Sequence, residues 1–292
     1  MENYIFSKNK YFIEEPAPYD ESQTVVGMAI KKVLFRGRSV FQKIEFFDTK
    51  FFGKTLALDG ITQTTEKDEF VYHEMLCQLP LIIHPNPKKV LIVGGGDGGS
   101  LEEVLKHNIE KVWMVEIDKM VVDLSKKYLP SISKGAFKDK RAEVIVGDGK
   151  EYIRKSKNCF DVIIMDLSDP GGPAKELVSL KFYKDVKRAL RPGGIISIQG
   201  GSFDVQPGLV SNIISRLHKI FSYARIHLAV VPAYQAGECC FIVASDNRRL
   251  ENVPRQFIEK KIENLKLDLN YFRPAIYFSS QVIPKYLRDK LK

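Results

Sequence analysis

Five acidic residues stand at spacings where carboxylates can do chemistry. Asp97 lies inside the run Gly94-Gly95-Gly96-Asp97-Gly98-Gly99, and Glu116 follows about 20 residues on. Asp148 is held in Gly147-Asp148-Gly149, and Asp166 and Asp169 precede the run Pro170-Gly171-Gly172-Pro173. A glycine run after an apolar strand lets a ligand approach the backbone, and an acid at the end of the next strand can accept hydrogen bonds from ribose hydroxyls. Together they point to a nucleoside, whereas the glycine run alone is a weak signal that a tight turn also explains. A carboxylate at position 97 repels phosphate and attracts cations, so an adenosyl sulfonium of the S-adenosylmethionine type fits the turn better than NAD. Asp148 is placed either to accept a hydrogen bond from an adenine amino group or to cap a helix. Asp166 and Asp169 fall at the carboxyl end of a strand, where open α/β sheets bind ligands, and the loop after them is built to close over a site. Five carboxylates meeting in one crevice of a basic chain imply a cationic substrate.

The elements that must carry these residues follow from periodicity. Residues 24–30 and 40–47 alternate as strands, Gly37, Asp48 and Gly53 supply turns, and residues 56–60 close a further hairpin. Residues 67–83 place Phe70, Val71, Met75, Leu79 and Ile82 at helical spacing, ended by Pro85 and Pro87. From Val90 the chain alternates: strand 90–93, helix from 100, strand 111–116, helix 119–129, strand 142–147, helix 149–156 and strand 160–166. Helix 176–190, strand 194–199, helix 207–221 and strands 224–231 and 239–245 complete it. This order predicts an α/β fold with a doubly wound parallel sheet and helices on both faces. It also divides the chain into an N-terminal β domain, 1–65, and a catalytic domain, 66–292.

Composition removes other classes. The 292 residues carry a net charge of +9, are 44% hydrophobic and only 28% charged, which excludes a disordered chain. No apolar run is long enough to span a bilayer, and the first residues lack the pattern of a signal peptide. Cys77 and Cys159 stand alone and Cys239-Cys240 are adjacent, so zinc and C-x-x-C redox chemistry are not expected and buried free thiols are. These features predict a cytoplasmic protein. Residues 246–292 hold 11 Lys/Arg against 6 Asp/Glu. Such a tail suits nucleic acid or a solvated helical surface, and no basic stripe interleaved with aromatics accompanies it.

The motifs Leu58-Asp59-Gly60, Gln63-Thr64-Thr65-Glu66 with Asp68-Glu69-Phe70, Tyr72-His73-Glu74-Met75, the 94–99 turn, Val115-Glu116-Ile117-Asp118 and residues 166–174 closely resemble the spermidine synthase family of polyamine aminopropyltransferases. The resemblance spans roughly Tyr11 to Ser245. It implies a methyltransferase-like Rossmann sheet with a small N-terminal β domain. The implied reaction moves the aminopropyl group of decarboxylated S-adenosylmethionine, a co-substrate and not a prosthetic group, to putrescine, releasing methylthioadenosine. By the same resemblance Gln42, His73, Asp97, Glu116, Asp148 and Gly149 hold the donor. Tyr72, Asp169, Gln199 and Tyr234 line the amine side, Asp166 is the base, acting directly or through Tyr72 or a water, and no metal takes part.

Three positions depart from the family pattern: Leu167 replaces a small serine, Tyr11-Phe12 replaces a tryptophan-containing segment, and residues 234–238 differ from Tyr-Pro-Ser-Gly. Agmatine, cadaverine or spermidine as acceptor, an S-adenosylmethionine-dependent methyltransferase and a nucleic-acid-binding module are the alternatives. Neither nucleic acid nor membrane is expected as a partner. A β domain of about 65 residues buries little of its own apolar surface, so a homodimer or homotetramer is expected, as the resemblance also implies. The loop 168–177 is expected to be mobile until ligand orders it.

Overall fold

A computed structural model of the chain describes residues 10–16, 19–22, 24–168, 176–235 and 237–291. Its first sheet contains β1 (Tyr11–Ile13), β2 (Gly27–Arg38), β3 (Lys43–Thr49), β4 (Gly53–Leu58) and β5 (Ile61–Thr65), adjacent in chain order and all antiparallel. The β4–β5 turn places Asp59 at φ +48 and Gly60 at φ +82, the left-handed pair that a two-residue hairpin requires. One face of this sheet, with Ile44, Phe46 and Leu56, packs on Val121, Leu129 and Ile132 of the second layer. Among the described residues, the other face holds the small cluster of Phe12, Ile30, Phe47 and Ala57.

Several expectations for this region need correction. Asp48, expected in a turn, lies inside β3. Residues 24–26 are not strand, and Ser39 to Gln42 form a turn instead of opening β3, because Ser39 Oγ accepts from the backbone N–H of Phe41 and Gln42 at 3.0 and 3.2 Å. Gly37, expected in a turn, lies inside β2.

The second sheet has the strand order β11-β12-β10-β9-β6-β7-β8. Its members are β6 (Lys89–Gly94), β7 (Lys111–Glu116), β8 (Ala142–Val146), β9 (Phe160–Asp166), β10 (Leu190–Gln199), β11 (Tyr223–Val230) and β12 (Glu238–Ser245). From β8 through β10 neighbours are parallel, but β12 runs antiparallel to both β10 and β11. The fully parallel expectation fails there because the short 231–237 connection can only return the chain as a hairpin.

Helices α1 (Glu69–Ile83), α2 (Gly99–Leu105) and α3 (Lys119–Tyr128) share one core with the sheet. The short α4 (Pro130–Ser133) continues from α3, and α5 (Gly149–Lys155), α6 (Leu180–Ala189) and α7 (Pro207–His218) cover the opposite face. The doubly wound reading holds. Helix α6 starts later than expected because Ser179 caps it, accepting from Phe182 N at 3.2 Å.

The basic tail forms α8 (Arg255–Leu265), α9 (Pro274–Ser279) and α10 (Lys285–Asp289). It is more than a solvated surface: Ile258, Phe272, Tyr277 and Leu287 are buried. Lys261 Nζ donates to the carbonyls of Leu81 and Ile82 at 2.8 and 3.1 Å and to that of His84, satisfying the end of α1. Cys77, Cys239 and Cys240 are buried free thiols, whereas Cys159 is only half-buried. Among the described residues no helix is long and apolar enough to cross a membrane.

Candidate active site

Strand β9 is buried along almost its whole length and delivers Asp166 at its carboxyl end. Beside it, β6 ends in Gly94, whose φ of +85 and position leave no room for a side chain: a Cβ there would lie 2.0 Å from Asp166 O. The strand end and the glycine turn are thereby pressed together, with Gly95 N donating to Asp166 O at 2.9 Å. Tyr72 OH donates to Asp166 Oδ1 at 2.7 Å and Ser100 Oγ to Oδ2 at 2.6 Å. Burial and the nearby charge of Asp97 raise the Asp166 carboxyl above its usual range, against the opposing pull of His73 and the two hydroxyls. Burial and the adjacent Asp166 carboxylate push the Tyr72 phenol far up, so it stays a neutral donor.

His73 lies beneath the turn. Its ring is 1% exposed and occupies the space that a Cβ on Gly99 would need, 2.2 Å from His73 Cε1. Nδ1 sits 2.7 Å from Glu69 Oε2, one helical turn away, and Nε2 is 3.5 Å from Asp97 Oδ1. Burial works against a charge on the ring, but Asp97 and Glu69 outweigh it and hold His73 protonated well above the ordinary range. In return His73, with the Gly99 N–H at 2.8 Å, keeps Asp97 ionised despite its own burial. His73 therefore supports the turn and Asp97 from within the core. His73, Asp97 and Asp166 bring candidate ligand atoms within 4.8 Å of one another. The two carboxylates of this cluster make it a place for a cation.

Among the residues expected to hold the nucleoside, Glu116 ends β7, and its Oε1 accepts from Asp118 N at 2.9 Å. Burial raises its carboxyl to about 7 against that backbone bond. Asp118 caps α3 and also receives Ser39 Oγ at 2.6 Å and Gln42 Nε2 at 3.0 Å. It thus fixes Gln42, from the turn between β2 and β3, at the rim of the second sheet. Asp148 is an exposed N-cap of α5, accepting from Lys150 N at 2.8 Å through Oδ1, and Gly149 is buried at the start of the same helix. Both readings of Asp148 remain compatible, since Oδ2 makes no bond within the cap.

Among the residues expected to line the amine, Tyr234 packs edge-on to Tyr72, with ring centroids 5.9 Å apart, and donates to Gln63 O at 2.7 Å. Asp68 ties this corner together by accepting from Thr65 Oγ1 at 2.6 Å and Ala233 N at 2.7 Å. Gln199 ends β10 two strands from β6. Gln235 Nε2 reaches Asp20 Oδ2 at 3.0 Å, joining the divergent 234–238 segment to the N-terminal region. Phe12 is spent on the small core, its ring tilted against that of Phe47 with centroids 4.9 Å apart. Leu167 is half-buried among the residues behind β9. Asp169 and most of the loop 168–177 lie outside the described residues. Of the five predicted carboxylates, Asp97, Glu116, Asp148 and Asp166 stand at neighbouring strand ends.

Sequence reading passed over Glu69, Ser100 and Asp118 as site residues. The Glu69 and His73 spacing of four on a helix was a usable signal. Ser100 had none, because its partner lies 66 residues away.

Residues 69–255 match the family model described as the spermine/spermidine synthase domain, and residues 12–66 that of the spermidine synthase tetramerisation domain. A polyamine aminopropyltransferase of Thermoanaerobacter sp. (strain X514) is 42% identical over 263 residues, covering 90% of this chain and 92% of the relative. One from Klebsiella pneumoniae (strain 342) is 39% identical over 264 residues with the same coverage. Among solved structures, a spermidine synthase in complex with the transition state analogue AdoDATO aligns at a TM-score of 0.90 and 36% identity, covering 96% of this chain and 94% of that one. Spermidine synthase from Thermotoga maritima aligns at 0.87 and 36%, covering 96% and 93%. With both sheets matched and a buried acidic site at the strand ends, this chain belongs to the spermine/spermidine synthase family and is an aminopropyltransferase.

Proposed function

We propose that the protein is a spermidine synthase, transferring the aminopropyl group of decarboxylated S-adenosylmethionine to putrescine. The observation that carries this reading is the Asp166 carboxylate, held by Tyr72 beside the ionised Asp97 in a buried crevice. A diamine has an amino group with a pKa near that of lysine, so exposing a neutral nucleophile at pH 7 costs about 5 kcal/mol. Asp166 lowers that cost by taking the proton as nitrogen attacks the carbon next to the sulfonium. The new C–N bond forms as the C–S bond breaks, its electron pair neutralises the sulfur, and methylthioadenosine leaves. Gln42, Glu116, Asp148 and Gly149 hold the nucleoside, and Asp97, braced by His73, faces the aminopropyl ammonium. Tyr72, Tyr234 and Gln199 line the acceptor's methylene chain, with Asp169 as its distal counter-charge. The chain divides functionally at 65/66, and its free thiols suit a reducing compartment such as the cytoplasm.

The test is to incubate the purified protein with decarboxylated donor and putrescine, cadaverine, agmatine or spermidine, and to separate products by mass. Spermidine and methylthioadenosine are expected. Consumption of S-adenosylmethionine as a methyl donor, with no amine product, overturns the reading.

Asp97 also selects the donor, because ordinary S-adenosylmethionine carries a carboxylate that this acid repels. Asp97→Asn should make S-adenosylmethionine a stronger competitor relative to its decarboxylated form, measured as the ratio of their inhibition and Michaelis constants. An unchanged ratio would detach Asp97 from donor choice.

The N-terminal β region, with Val25 exposed ahead of β2, Phe51 exposed in the β3–β4 turn and a four-residue core on one face of the sheet, supports assembly of copies into a dimer or tetramer. Sedimentation velocity at micromolar concentration should show at least a dimer, and a stable monomer would refute it.

A further inference from the structure

Asp166 accepts two hydroxyls, one on each oxygen, and the two donors are not equivalent. Oδ1 meets Tyr72, which stands next to Tyr234 on the amine side. Oδ2 faces the glycine turn: a Cβ on Gly95 would lie 3.0 Å from it, and Ser100 Oγ donates to it at 2.6 Å. Ser100 is fully buried in the first turn of α2, and Cys77 Sγ contacts its carbonyl at 3.8 Å from behind. No ligand can reach that hydroxyl without moving the turn.

We propose that Ser100 is a positioning residue for the base: it anchors Oδ2 of Asp166 against the turn, leaves Oδ1 as the oxygen that receives the amine proton, and stabilises the carboxylate form. The inference rests on Asp166 being the base.

The other groups facing Asp166 all act on the same carboxylate. His73, Tyr72 and Cys77 approach from α1, Asp97 from the turn, Glu116 from β7 and Tyr234 from the 231–237 connection. Burial and Asp97 favour the protonated form, while His73 and the two hydroxyls favour the anion. Of these, the Ser100 hydroxyl can be removed with little change in volume and no change in charge.

Three forms are compared: wild type, Ser100→Ala and Ser100→Thr. The pH dependence of kcat/KM is measured in each, and the ionisation of Asp166 is followed by carboxyl carbon NMR in the enzyme without substrates. Losing one hydrogen bond to a carboxylate destabilises the anion, so Ser100→Ala should move both the Asp166 ionisation and the acid limb upward by about one pH unit. Ser100→Thr keeps the hydroxyl and should leave both near wild type. The position of a limb does not depend on how much protein is folded, so partial misfolding cannot imitate the shift. Equal Asp166 ionisation in wild type and Ser100→Ala overturns the proposal. So does a threonine shift as large as the alanine one, because volume and not the hydroxyl would then be responsible. If the ionisation moves but the acid limb does not, Ser100 still governs the carboxylate, and the assignment of Asp166 as base is what falls.

Discussion

Asp166→Asn is expected to fold normally and to transfer the aminopropyl group at least about 10²-fold more slowly, with losses up to about 10⁴-fold in the range for a general base. The amide has the shape of the carboxyl, and the Tyr72 and Ser100 hydroxyls at 2.7 and 2.6 Å can each donate to the remaining oxygen or accept from the new NH₂. The fold also loses a like-charge neighbour of Asp97, so stability should not fall. What disappears is the proton acceptor. The variant then depends on amine that is already neutral, and its residual rate should rise about tenfold per pH unit towards the amine's own pKa near 10.4. Wild type should lack that dependence above its acid limb. The measurement is kcat with saturating donor and putrescine between pH 6 and 9, alongside a thermal melt. A near-normal rate at pH 7 would move the base to another group.

The parts of this site that were legible in the sequence are those set by local rules. Glycine runs after apolar strands fix strand-end turns, and carboxylates inside or just beyond them sit at the mouth of a parallel sheet whatever the long-range packing. That is why Asp97, Glu116, Asp148 and Asp166 could be placed together without coordinates. The partners that tune them come from distant chain segments: Asp118 receives Gln42 across 76 residues, and Tyr72 reaches Asp166 across 94. No periodicity reports such pairings. The misplacement of residues 40–42 has a local cause of a different kind, since Val40 and Phe41 have strand character but the Ser39 hydroxyl binds the next two N–H groups and turns the chain. The antiparallel β12 was hidden because a short apolar strand carries no mark of its direction. For the tail, charge composition described the outer face of α8 to α10 and could not register the few apolar residues that dock it.

That docking leads to the largest stability effect expected from one side chain. Glu74 is fully buried on α1, between helix and tail, and its carboxylate accepts from Asn270 N, Tyr271 N and Phe272 N at 2.7, 2.9 and 2.6 Å. Hydrogen bonds to a charged group contribute about 1.5–3 kcal/mol each, and orphaned buried donors keep their desolvation cost. Glu74→Ala should therefore lower unfolding stability by at least about 3 kcal/mol, read from urea denaturation at constant protein concentration. Glu74→Gln should lose less, because the amide oxygen still serves part of the set while its NH₂ faces a donor. The consequence should reach the chemistry, since Tyr72, His73 and Glu74 are consecutive: one grips Asp166, one braces Asp97, and the third secures the helix to residues 270–272. Loosening the third contact frees α1 to shift the other two, so Glu74→Gln, assayed where it is still folded, should lose kcat more than donor affinity. Full wild-type stability in Glu74→Ala would mean that the tail is held by Ile258, Phe272 and Tyr277 alone. An alanine variant that is destabilised while its glutamine counterpart keeps normal kcat would confine Glu74 to folding and remove the link to the site.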